Sequence, residues 1–89
     1  IIMALGDYDK EMLTITMEEC AEVIQACSKV LRFGDTPTNL TALEKEIGDL
    51  YCMIDMLHQH DYISYTRIDD YSLLKREKLK VYSNLFAVD

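Results

Sequence analysis

Tryptophan is absent from the 89 residues, and one proline and three glycines are the only strong chain breakers. That is too little turn-forming material for the many reversals of an all-β fold. No apolar run approaches the roughly 18 residues needed to span a bilayer, so no membrane partner is expected. No basic-then-apolar leader opens the chain, which begins Ile1-Ile2. Positive charge is scarce: nine Lys and Arg against sixteen Asp and Glu give a formal net charge of −7. Such a balance argues against a binder of nucleic acid polymers, whose backbone demands clustered cations. The three cysteines, Cys20, Cys27 and Cys52, are odd in number and lack CxxC spacing. They suit a reducing cytoplasm better than a secreted disulfide framework, and they read as small core residues. GxxxxGK[ST], GxGxxG and GxSxG are all missing, which excludes a P-loop, a dinucleotide fingerprint and a nucleophile elbow.

What is present is an ordinary folding composition, 49% hydrophobic and 28% charged, in one domain over 1–89. A chain this short buries only about 60–65% of the surface its unfolded form exposes, so association of copies into a homodimer or homotetramer is expected. From about Asp9 to Phe33 the residues Leu13, Met17, Cys20, Ile24, Cys27 and Leu31 recur at alternating spacings of four and three. This is the stripe of a long amphipathic helix, which Gly34 should end. Thr38 or Asn39 is placed to cap a second helix with the stripe Leu43, Ile47, Leu50, Ile54 and Leu57, running to about His60. The short loop between them predicts an antiparallel hairpin. A less regular connector over 60–65 precedes a third helix, expected from about Asp69 to Tyr82. Apolar residues beyond the two stripes, such as Val23, Val30, Met53 and Met56, call for a further partner surface. The predicted fold is all-α: a helical hairpin plus a third helix, completing a four-helix-type bundle by oligomerisation.

The first helix carries Glu18-Glu19-Cys20-Ala21-Glu22 and the second Glu46-Ile47-Gly48-Asp49. Positions three apart lie about 60° apart around a helix and one turn along it, so each helix offers a carboxylate pair. In a hairpin the two pairs can come level. Four carboxylates so close repel one another unless protonated or bridged by a cation, and all-oxygen ligation points to Mg²⁺ or Mn²⁺. Such pairs also occur on solvated helix faces. Two features favour a site: both pairs border the apolar stripes, and Gly48 sits inside a helix, where a close approach beside Asp49 would account for it.

The order EExxE, 23 intervening residues and ExxD resembles the signature of the MazG-like nucleotide pyrophosphohydrolases, an all-α family. The words EECAEVIQACSKVLRFG and LEKEIGDLYCMIDML are similar to it as well, as is the close KREKLKVYSNLF, so the likeness runs from about Leu13 to Phe86. It implies Mg²⁺-dependent cleavage of a nucleoside triphosphate between the α and β phosphates, giving monophosphate and pyrophosphate. By position it implies Glu19, Glu22, Glu46 and Asp49 as metal ligands. Glu18 then binds a further ion or orients the attacking water.

A polyphosphate needs cations opposite its leaving group. Lys75 and Lys78 share a face of the third helix, and Lys29 and Arg32 continue the face of Glu18 and Glu22, so these four are the phosphate-contact candidates; each is also compatible with a solvated role. Asp55 and His58 form a DxxH pair, but Asp55 lies about 240° around the helix from Asp49 and cannot share its site. The rival expectation is a catalytically silent helical oligomerisation or regulatory module. A redox di-metal bundle is disfavoured because ExxH is absent.

Overall fold

The computed structural model describes residues 5–86. Three helices account for the regular structure: α1 (Asp7–Phe33), α2 (Pro37–Gln59) and α3 (Tyr65–Tyr82). There is no strand among the described residues. The termini 1–4 and 87–89, including Ile1-Ile2 and the ends of the expected domain, lie outside them.

Helix α1 starts two residues before the expected Asp9, because Asp7 and Asp9 both sit in its first turn, where negative charge complements the N-terminal dipole. Gly34 ends it as expected, at φ 96°, with its N–H donating to Val30 O at 2.8 Å. The loop is shorter than the sequence suggested. Thr36, rather than Thr38 or Asn39, caps α2 by accepting from the Asn39 N–H at 3.2 Å, and Pro37 occupies the first turn, where its missing donor costs nothing. Asn39 instead donates its side-chain amide to Gly34 O at 3.0 Å, tying the loop shut. Helix α2 closes with Tyr62 N–H donating to Leu57 O at 2.9 Å, and Asp61 takes the left-handed conformation at φ 64°.

The hairpin is the expected antiparallel pair; on α2 the expected stripe faces the seam, with Leu57 buried and Leu43, Leu50 and Ile54 half-buried, but on α1 the seam is not the expected stripe. On α1 the buried residues are Met12 and Ala26, with Ile15, Thr16, Glu19, Val23 and Val30 half-buried along the same line. On α2, Met53 and Leu57 are buried, and Met12, Met53 and Leu57 form the core cluster with Leu13, Ile15, Met56 and Ile63 packed on it. Met17, Ile24 and Leu31 are 71%, 69% and 87% exposed. Cys20, Cys27 and Cys52 are exposed free thiols, not core residues. The cause is rotation. Seam and stripe are neighbouring faces about 100° apart, both apolar enough to pack, and it is the first that meets α2.

Helix α3 begins at Tyr65, earlier than the expected Asp69, because Ser64 caps it by accepting from the Arg67 N–H. Its start is fastened to the end of α2. The His58 ring stacks on Tyr65 with centroids 4.3 Å apart, and the Tyr65 hydroxyl donates to Asp55. Beyond that fastening α3 has no buried residue. The described chain measures 51 × 31 × 18 Å, and its least dimension is that of one layer of helices, which confines the core to the α1–α2 seam and leaves the outer helix faces uncovered.

Candidate metal centre

Halfway along the hairpin seam the apolar contacts give way to acid. Glu19 follows Met12 and Ile15 at spacings of seven and four on α1, so the helix period aims it at α2. There it meets Glu46 and Asp49. One carboxylate oxygen from each of the three lies within 4.8 Å of the others. Three oxygen donors suit a hard divalent cation, although they would have to draw closer together to reach the roughly 2.0–2.1 Å at which Mg²⁺ is bound.

Glu19 is the least satisfied of the three. Its Oε2 is buried and has no hydrogen-bond partner, a condition that normally costs a carboxylate dearly. Burial pushes its pKa above the ordinary value, and the charges of Asp49, Glu46 and Glu22 push it further; Lys45 opposes them. Lys45 is the cation the sequence reading missed. Its Nζ lies 2.9 Å from Asp49 Oδ2 and 3.5 Å from Glu46 Oε1, and the Asp49 hydrogen bond and charge hold its pKa above the ordinary value. The signal was available in the i,i+4 spacing of Lys45 and Asp49, which puts the two side chains on one face.

The seam divides the expected ligands. Glu19, Glu46 and Asp49 come together as the motif spacing implied. Glu22 is exposed and stands outside the three-oxygen cluster, near enough to Glu19 to raise its pKa. Val23 takes the next seam position in its place. Glu18 is exposed and also outside the cluster. Lys29 is exposed, about 10 Å farther along α1 than Glu22. Arg32 donates its Nε–H to Ser28 O at 3.4 Å and lies over the Phe33 ring at 5.1 Å, so it is engaged within the last turns of α1, about 15 Å along the helix from Glu22. Lys75 and Lys78 are exposed on α3, which does not pack along the hairpin and so does not carry them to the acids of its own chain.

Gly48 does not mark a close approach within the chain: a Cβ there would meet nothing within 4 Å. Nor is any described helix long and apolar enough to cross a membrane. Compared with known proteins, the chain matches no family model, no curated protein and no solved structure.

Proposed function

We propose that this chain is a Mg²⁺-dependent nucleoside triphosphate pyrophosphohydrolase, cleaving (d)NTPs between the α and β phosphates in the cytoplasm. The observation that carries the reading is Glu19, whose carboxylate gathers with those of Glu46 and Asp49 across the seam and has one buried oxygen without a hydrogen-bond partner. An all-carboxylate set suits Mg²⁺ or Mn²⁺, and the likeness of the EExxE and ExxD motifs supplies the reaction. Glu19, Glu46 and Asp49 hold the ion, with Glu22 as an outer acid at the solvent edge. When bound, a divalent ion would supply charge to offset the phosphate oxygens and would lower the pKa of a water so that it could lose a proton near neutral pH. Glu18, exposed on the next face, orients the attacking water and accepts its proton, while the bond to the β-phosphate breaks and pyrophosphate leaves. Lys45, displaced from Asp49 by a bound cation, would be free to pair with the phosphates.

Two apolar faces support a shared bundle, a homodimer or homotetramer: the Met17, Ile24 and Leu31 stripe, and the unburied α3. In that assembly α3 is free to lay Lys75 and Lys78 against the acids of a second copy, with Lys29 and Arg32 lining the approach. The second reading, a catalytically silent oligomerisation module, draws on Lys45, which already neutralises part of the acid cluster without a metal.

Pyrophosphate release, measured over all common NTPs and dNTPs with and without Mg²⁺, separates the two. Hydrolase function predicts metal-dependent release from at least one nucleotide, abolished in Asp49→Asn. Metal titration by calorimetry should show Glu19→Gln and Asp49→Asn losing affinity by about tenfold or more and Glu22→Gln losing less. No release from any nucleotide leaves the silent module standing.

A further inference from the structure

A cleft of about 220 Å³ opens between the N-terminal part of α1 and the C-terminal part of α2, lined by Tyr8, Glu11, Met12, Ile15, Met53 and Met56. It adjoins the acids without including them. Ile15 precedes Glu19 by one turn and Met53 follows Asp49 by one turn, so cleft and cluster are about 6 Å apart along both helices. The volume suits a single ring system better than a whole nucleotide. Three of the walls are thioethers, soft groups that adapt to aromatic faces. The fourth is the Tyr8 ring, half-exposed and oriented by a 3.2 Å hydrogen bond between its hydroxyl and His60 Nε2. Glu11 is the one charged residue among the six.

We infer that this cleft receives the base of the nucleotide and that Glu11 selects guanine. The inference rests on the nucleotide reading given above, and it adds the base that the motifs leave open. Thioethers and a tyrosine ring hold any flat heterocycle, so discrimination falls to the polar group at the edge. An ionised carboxylate only accepts hydrogen bonds. Guanine presents N1–H and the 2-amino group side by side, two donors matched to two carboxylate oxygens in a charge-assisted pair. Adenine and cytosine set an acceptor nitrogen beside their amino group, and uracil flanks its one N–H with two carbonyls, so each turns a lone pair toward Glu11. With the base in the cleft, the sugar spans the turn between Ile15 and Glu19, and the phosphates reach the acids.

The test uses the whole chain labelled with ¹³C at its methionine methyls, free of divalent metal. The ligands are guanosine, adenosine, cytidine and uridine, which bring no phosphate to the acids. Guanosine should shift Met12, Met53 and Met56 and leave the exposed Met17 unmoved, at an affinity at least about tenfold above the other three. Glu11→Gln, an exposed substitution, should erase that preference while the cleft methyls still respond. Equal response to all four nucleosides, absence of response in the cleft, or an unchanged preference in Glu11→Gln overturns the inference. Cleft shifts without pyrophosphate release would overturn the hydrolase reading alone; pyrophosphate release without cleft shifts would overturn the base pocket alone.

Discussion

Lys45 Nζ stands 2.9 Å from Asp49 Oδ2, an ion pair along one helix that meets the buried end of Glu19 across the seam. The ammonium balances part of the charge that Glu19, Glu46 and Asp49 concentrate, so a metal entering the cluster competes with it. Lys45 is largely exposed, and as a surface ion pair it contributes little to stability by itself. Its removal should therefore show in metal affinity. Lys45→Met should bind Mg²⁺ about two- to fivefold more tightly and show a larger rise in Tm on adding Mg²⁺ than the unaltered chain. Calorimetry and thermal melts in matched buffers check both.

Glu19 gives the metal-free protein an unusual pH response. Its folded pKa lies above the ordinary 4.5, so the folded state holds a proton that the unfolded state has released. Stability then falls as pH rises from about 4.5 to the raised folded value, opposite to the usual behaviour of paired carboxylates. Denaturant melts of the chelator-treated chain, compared with Glu19→Gln over that window, should show the loss in the first and not in the second. Saturating Mg²⁺ should suppress it by taking the proton's place.

The number and order of the helices were legible because Leu13 to Leu31 and Leu43 to Leu57 keep a helical period, and Gly34 is a strong stop. The rotation of α1 was not. Met12, Ile15, Val23 and Ala26 form a face as apolar as Met17, Ile24 and Leu31, and a helical period alone does not choose between two such neighbouring faces. The site inherits that choice. Glu19 lies on the seam that won, whereas Glu22, about 60° away, does not, although the EExxE word treats them alike. The basic segment is legible as a helix from its run of helix-forming residues and from the acidic-to-basic order of its charges. Its relation to the acids depends on tertiary packing, which α3 lacks within one chain because Tyr71, Leu73, Leu74, Val81 and Tyr82 are all exposed.

The exposed stripe makes assembly testable without disturbing the hairpin. Ile24 is 69% exposed, so a charge there disturbs little packing within the chain. Ile24→Glu should fold with unchanged helicity. Sedimentation at micromolar concentration should give at least twice the 10.3 kDa chain mass for the unaltered protein and a lower mass for the variant. Equal masses would exclude this face from the interface.

Gly48 separates an intrinsic role from one that needs a neighbour. In a helix interior glycine costs about 0.5–1 kcal/mol relative to alanine, through the backbone freedom it loses on folding. Here a Cβ would point into open space, so nothing within the chain opposes the substitution. Gly48→Ala should therefore raise unfolding stability by about 0.5–1 kcal/mol when measured at concentrations where copies are dissociated. If a second copy's helix packs beside Asp49, the same methyl obstructs its approach, and the variant should associate more weakly while each chain is more stable. Denaturant titration paired with sedimentation reads the two effects separately. A stabilised chain with unaltered association would leave Gly48 no packing role on that face.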